Sequence, residues 1–142
     1  LGKVSGVAIL LIGTGTIAGI VQASELNVDM IALLQALKLP MFALAPISGV
    51  IMAGATASTT AGATIASQTF SAPLVEAGVA PVSAAAMIHA GATVVDSLPH
   101  GSFFHATAGS VFMGVKERLK LIPYEAAVGL AATATSCICA LM

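Results

Sequence analysis

The chain has 142 residues, of which 58% are hydrophobic and 8% are charged, and its mean hydropathy is +1.03. So small a polar fraction cannot cover the surface of a soluble globule, which excludes a soluble enzyme with an aqueous catalytic triad. A net charge of −1 with five basic residues also excludes a nucleic-acid-binding surface, since that requires clustered lysine and arginine.

The first uncharged run, residues 4–24, has the length of about 20 residues that crosses the hydrocarbon core as a helix. Its centre carries Gly13-Thr14-Gly15-Thr16, which predicts either a close helix contact or a backbone that opens toward a cavity. Apolar side chains then recur at helical spacing over residues 30–39 and stop at Pro40. This second segment is too short to span, so we predict an interfacial amphipathic helix.

Residues 41–75 form an uncharged run that is longer than one span and is interrupted by prolines and glycines. We predict two half-length helices that meet inside the membrane as a re-entrant hairpin, with its tip at Gly54–Gly62. Ser or Thr occupies eight of the 18 positions from 54 to 71, and irregular backbone at this depth needs protein or a water-filled cavity over it. The tip is therefore a predicted binding site; the alternative is hydroxyls bonded to their own helix carbonyls without a function.

Residues 82–115 carry an interruption at Asp96–Ser102, which includes Pro99 and Gly101. Proline removes a helical donor and glycine relaxes the backbone, so we predict a discontinuous helix. A mid-bilayer aspartate costs about 2.5–3.5 kcal/mol on insertion scales, so Asp96 should face water or the protein interior and is a functional candidate. The alternative is that Asp96 only caps the second half-helix.

Three histidines, His89, His100 and His105, lie on this same stretch. Imidazole exchanges protons near neutral pH, so a proton relay is chemically available. His100 is the candidate because it lies in the break beside Asp96. For His89 the pattern favours a packed histidine that bonds to a neighbouring helix.

The dense charge cluster Lys116–Lys120 is predicted to be a solvated loop, and the positive-inside rule places residues 116–123 in the cytoplasm. Residues 124–142 are the last predicted span. Its Cys137 and Cys139 point to different helix faces without a second pair, so they are interpreted as small hydrophobes. No metal and no cofactor are expected.

The sequence therefore predicts an all-α membrane protein with residues 1–142 in a single transmembrane domain. Because Leu1 is not an initiator methionine, we expect a fragment of a longer permease.

Four motifs carry a resemblance to a known family: Gly13–Gly15, Gly54–Gly62, Val95–Ser97 and Lys116–Leu119. Over essentially the whole chain, the sequence resembles the C-terminal part of the gluconate permease family, within the ion-transporter superfamily. The resemblance implies one half of an inverted-repeat secondary transporter of the inner membrane, which carries a small hydroxy-carboxylate such as gluconate, glycerate or 3-hydroxybutyrate by proton symport. The Leu98–Gly101 stretch departs from the sugar-acid carriers, so the resemblance does not identify the substrate.

Half-helix N-termini offer positive partial charge and free N–H groups, so the hairpin tip and the broken helix can hold a carboxylate without arginine. We expect the substrate to be bound by hydroxyl side chains that flank the two breaks: Thr56, Ser58, Thr59, Thr60, Ser97 and Ser102. Asp96 or His100 would carry the coupling proton. The expected partners are the organic anion, protons, the lipid bilayer and the other inverted repeat, and a homo-oligomer is compatible with this plan.

Two other functions fit the same residues. In a cation/proton antiporter, the hairpin carbonyls and Asp96 would bind Na⁺ and no organic acid would be carried. A non-transporting membrane fragment would be stable yet inactive without its other half.

Overall fold

The computed structural model describes residues 36–142 together with isolated positions before them: 9, 12, 16, 20, 25, 29, 32 and 33. Residues 36–142 are helical, with turns between the helices and no strand. The predicted span 4–24 and most of the predicted interfacial helix 30–39 lie outside the described residues.

The helices from residue 41 onward are α1 (Met41–Thr56), α2 (Thr59–Glu76), α3 (Pro81–Thr93), α4 (Ser102–Ser110), α5 (Val115–Leu119) and α6 (Ile122–Leu141). Helices α1, α2 and α3 pack against one another, and α6 packs against α3. The core between the first three helices is aliphatic and aromatic, with fully buried Met52, Leu74 and Met87 at its centre. This three-helix core supports the two chain breaks described next.

The first break is the two-residue link between α1 and α2. Ala57 ends α1 in the left-handed conformation, with a φ of 54°, and its N–H donates to the Ala53 carbonyl. Ser58 is extended, and its hydroxyl accepts a hydrogen bond from the Ala61 N–H at 3.3 Å, which satisfies one of the free donors at the start of α2. Helices α1 and α2 therefore form a tight hairpin. Its re-entry into a membrane stays a prediction.

The prolines that interrupt the sequence pattern do not end the helices that contain them. Pro46 lies inside α1 and Pro73 lies inside α2. In this hairpin, a glycine allows the two helices to pack closely and does not form the turn. A Cβ added to Gly62 would overlap the backbone of Met52 and Ala53, so the two arms of the hairpin touch at backbone level.

Helices α1 and α3 cross at a second backbone contact. A Cβ on Gly49 would lie 2.9 Å from the Ala92 nitrogen and closer still to the Ile88 carbonyl oxygen. A Cβ on Gly91 would in turn overlap the Pro46 carbonyl. Only residues without a side chain fit at these two positions.

The second break separates α3 from α4 over residues 94–101. Its last residue, Gly101, is buried and its N–H donates to the Leu98 carbonyl at 2.9 Å. A Cβ on Gly101 would lie 3.3 Å from the Ala57 carbonyl oxygen. The break in the 81–110 segment is thus in contact with the tip of the α1–α2 hairpin.

Within the described residues, the helical stretch Val115–Leu141 is long and apolar enough to cross a membrane. It is 27 residues long and almost none of it is buried, and Val128 and Leu130 are 70% and 58% exposed. An apolar helix with an exposed apolar surface is typical of contact with lipid or with another helix. The side of the membrane on which residues 116–123 lie stays a prediction.

The backbone contact at Gly49 yields a stability prediction. Gly49→Ala should destabilise the full-length protein by about 1–3 kcal/mol, because the new methyl group forces α1 away from α3. The measurement is the midpoint temperature of unfolding in detergent, followed by fluorescence-detected size-exclusion chromatography. The matched control is Gly54→Ala on the same helix, where nothing lies within 4 Å of the added Cβ. Equal midpoints for the two variants would contradict the crossing.

Candidate functional site

The hairpin tip and the α3–α4 break are joined by polar side chains. The Thr59 hydroxyl, at the first residue of α2, donates a hydrogen bond to Asp96 Oδ1 in the break, 37 residues away. The Gly54 carbonyl accepts a hydrogen bond from His100 Nε2 at 2.8 Å. These two contacts connect segments that are distant in sequence and define the candidate site.

A cavity of about 450 Å³ lies at this junction, and we call it the tip cavity. Its polar lining comes from the tip, from α3 and from the start of α4: Ser58, Thr59, Thr60, His89, Asp96 and Ser102. No lysine or arginine of the described chain lines it. The described residues also bring together no group of three or more His, Cys, Asp or Glu side chains that could hold a metal.

Two helix N-termini meet the tip cavity. Helix α2 begins at Thr59 and α4 begins at Ser102, and both residues line the cavity. The residue before α4 is Gly101, so no side chain accepts a hydrogen bond from the first N–H groups of that helix. Free N–H groups and the helix dipole attract negative charge, so the cavity can hold an anion.

The structure brings four of the six predicted hydroxyl residues to the tip cavity: Ser58, Thr59, Thr60 and Ser102. Thr56 is fully buried and does not line it. Its Oγ1 lies 2.8 Å from the Met52 carbonyl oxygen and 3.0 Å from that of Ser58. A hydroxyl has one hydrogen to donate, and at Thr56 that hydrogen goes to the backbone. Thr56 thus fixes the shape of the tip.

Ser97 lies on the other side of Asp96. It is buried and lines a separate cavity of about 440 Å³, together with Tyr124 and Glu125 of α6, and we call this space the α6 cavity. Asp96 and Thr93 line both the tip cavity and the α6 cavity. Asp96 therefore lies in the wall between two spaces.

Neither His100 nor His89 occupies the environment that the sequence indicates for it. The ring of His100 bonds the Gly54 carbonyl and does not line the tip cavity, although the residue belongs to the break. His89, for which the pattern favours a packed histidine, is exposed, lines the tip cavity and makes no hydrogen bond within the described part of the chain. The sequence feature that could have indicated this position of His89 is its spacing from Thr93, which follows four residues later on the same face of α3.

Arg118 is a structural residue that the sequence analysis missed. The predicted solvated loop is the short helix α5, in which Arg118 is only 2% exposed. Its Nη1 donates to Glu125 Oε2 at 2.5 Å and its Nε donates to Thr107 Oγ1 at 3.2 Å. The guanidinium carbon also lies 5.2 Å from the Phe104 ring centroid. Arg118 therefore joins α4 to the start of α6. The sequence feature that could have indicated this ion pair is Glu125, seven residues after Arg118.

Comparison with known proteins gives one relative. The chain is 60% identical over 136 residues to an uncharacterized transporter of Haemophilus influenzae, and the match covers 96% of this chain. It covers 32% of the relative, so the chain spans about a third of the length of the curated protein that it matches. No family model and no solved structure matches the chain. The relative's name states neither a substrate nor a family, so membership of the gluconate permease family stays a prediction.

The Arg118–Glu125 ion pair leads to a second stability prediction. Arg118→Leu should cost about 1.5–3 kcal/mol, because it removes the hydrogen bonds of the guanidinium to Thr107 and to the partly exposed Glu125. The double variant Arg118→Leu/Glu125→Leu should lose much less than the sum of the single variants, as judged by unfolding midpoints of the full-length protein. Lys116→Leu, an exposed basic residue of the same helix, is the matched control. A loss at Arg118 no larger than at Lys116 would refute the structural role.

Proposed function

We propose that this chain forms part of a secondary transporter that carries a small hydroxy-carboxylate together with a proton. The observation that carries the proposal is the hydrogen bond from Thr59, at the start of α2, to Asp96 of the break, in a cavity that the first residues of α2 and α4 also line. The similarity to an uncharacterized transporter supports transport, and the resemblance to the gluconate permease family supplies the class of substrate. Gluconate, glycerate and 3-hydroxybutyrate are the acids to test.

The carboxylate of the substrate would bind in the tip cavity. The first turns of α2 and α4 supply N–H groups and positive partial charge, while Ser58, Thr60 and Ser102 supply hydroxyl donors. The hydroxyl groups of the substrate could pair with the same side chains, which both donate and accept. An anion is thus held without any lysine or arginine in the cavity lining.

Asp96 would couple binding to the proton by charge repulsion. Two unit charges about 6 Å apart repel by about 2.8 kcal/mol at an effective dielectric constant of about 20. This energy corresponds to about a hundredfold in affinity, since 1.4 kcal/mol is tenfold. The organic anion therefore binds well only when Asp96 is protonated, and by linkage the bound anion favours that proton equally.

The hydrogen bond from Thr59 to Asp96 would weaken when Asp96 takes up the proton. While Asp96 is ionised, the Thr59 hydrogen is committed to Oδ1. Once Asp96 is protonated, the carboxyl group is a weaker acceptor and the Thr59 hydrogen becomes available to the substrate. Protonation thus removes a repulsion and frees a donor in one step.

The remaining parts of the proposal concern the whole protein. The chain would be one inverted repeat in the inner membrane, with residues 116–123 in the cytoplasm, and it would move against a scaffold formed by the rest of the transporter. The hairpin of α1 and α2 would re-enter the membrane and place the tip cavity near its midplane.

Asp96→Asn tests the coupling. In vesicles that contain the full-length wild-type protein, an inward proton gradient should drive accumulation of one of the three acids. Affinity for that acid should fall, by up to about a hundredfold, as the pH is raised. In Asp96→Asn, accumulation should fall at least tenfold and affinity should lose its pH dependence, because the charge is absent at every pH.

Glu76→Gln, which neutralises an exposed carboxylate at the end of α2, is the matched control and should retain both properties. Accumulation by Asp96→Asn at the wild-type level would refute the assignment. Sodium-driven proton movement without any organic acid would instead favour a cation/proton antiporter.

Thr59→Val/Thr60→Val tests the hydroxyl donors. Valine keeps the β-branched shape and removes both hydroxyls, so uptake should be abolished while membrane insertion and the unfolding midpoint stay near wild type. Thr135→Val on α6 is the control, since its hydroxyl donates to the Ala131 carbonyl of its own helix. Unchanged uptake in the double variant would contradict the assignment of these threonines.

A further inference from the structure

A third cavity adjoins the tip cavity along the seam between α2 and α3. This lateral cavity has a volume of about 430 Å³ and is lined by Thr60, Ala63, Thr64, Ser67 and Gln68 of α2 and by Ala85 and His89 of α3. Thr60 and His89 line the tip cavity as well. The two cavities therefore adjoin at these two side chains, and we call the pair, from Gln68 to Asp96, the α2–α3 furrow.

The furrow is polar along both edges. Thr60, Thr64 and Gln68 recur every four residues on α2, which places them on one helix face. On α3, His89 and Thr93 are also four residues apart. The opposite side of α3 is buried in the apolar core through Met87 and Ile88. A face of hydroxyls, an amide and an imidazole opposite such a core is suited to hold water rather than lipid.

His89 and Asp96 are the titratable side chains that line the furrow in the described part of the chain. Helix α1, which packs on α3 from the core side, adds no charged or titratable side chain to it. Helix α6 presents Tyr124 and Glu125 only to the α6 cavity, beyond Asp96. A proton that moves along the furrow can therefore pass through His89 and reach Asp96.

We propose that the α2–α3 furrow is a water-filled route on which His89 passes the coupling proton to Asp96. This inference rests on the proposed function and adds a proton-transfer residue to it. An N–H bond of the imidazolium breaks and an O–H bond forms on Asp96, which leaves a neutral imidazole and a neutral carboxyl group. His89 then takes up a proton from water at the Gln68 end and regains its charge.

The geometry sets two features of this transfer. His89 lies on α3, Asp96 lies in the break after Thr93, and no hydrogen bond joins the two side chains within the described chain, so the transfer runs through water. Thr59 occupies Oδ1 of Asp96, and Oδ2 has no hydrogen bond within the described chain. Oδ2 is therefore the atom that receives the proton.

The first test asks whether the furrow holds water, and it does not depend on the substrate. In a cysteine-free background of the full-length protein, with Cys137 and Cys139 replaced by alanine, Thr64→Cys lies in the furrow. Thr135→Cys on α6 is exposed as Thr64 is and lines neither cavity of the furrow. A membrane-impermeant, charged thiol reagent should modify Thr64→Cys at least tenfold faster than Thr135→Cys. Equal rates, or no reaction at Thr64→Cys, would overturn the proposal.

The second test separates proton transfer from packing. His89→Gln keeps a hydrogen-bonding side chain of similar reach and cannot carry a proton at neutral pH. Accumulation driven by a proton gradient should fall at least tenfold. Exchange of labelled for unlabelled acid across the membrane, which needs no net proton movement, should fall no more than about threefold.

His105→Gln is the control, because the Pro99 carbonyl accepts a hydrogen bond from the His105 ring and this ring does not line the furrow. It should retain gradient-driven accumulation. If accumulation and exchange fall together in His89→Gln, or if neither falls, His89 is not a transfer residue. If the wild-type protein accumulates none of the acids, the proposed function has failed, and an unmodified Thr64→Cys would then overturn the furrow as well.

Discussion

The backbone contact between α1 and α3 is the constraint on which the candidate site depends. Gly49 and Gly91 let the two helices approach until no Cβ fits between them. This approach brings the C-terminal end of α1, and with it the hairpin tip, against the break that follows α3. The Thr59–Asp96 and Gly54–His100 hydrogen bonds form only because the helices are this close. A larger side chain at the crossing would separate the two halves of the site.

The electrostatic design of the tip cavity follows from partial charges rather than from a fixed cation. An arginine in the cavity would bind an organic anion whether or not a proton was present. In the proposed mechanism, helix N-termini and hydroxyl groups attract the anion less strongly than an arginine would, so the charge state of Asp96 would decide whether the anion binds. The single arginine of the sequence, Arg118, is paired with Glu125 and joins helices instead.

Asp96 is the residue around which the cavities are arranged. It lines the tip cavity and the α6 cavity, and the tip cavity shares Thr60 and His89 with the lateral cavity. A carboxylate in a wall between two spaces can exchange a proton with either of them. The break in the 81–110 segment is what allows this, because an unbroken helix would present the side chain to one face only.

The amino-acid sequence alone predicts the helical character of the described chain, a break that includes Asp96 and the density of hydroxyl groups around the hairpin tip. These features depend on composition and local backbone chemistry, which act over a few residues. It could not determine which hydroxyls face a cavity, because periodicity orders side chains around one helix and says nothing about the helix opposite. The tertiary structure shows that the Thr56 hydroxyl bonds to a backbone carbonyl and that Ser97 lines the α6 cavity instead of the tip cavity. It also exchanged the environments expected for His89 and His100 and buried Arg118, since each of these outcomes depends on a neighbour that is distant in sequence.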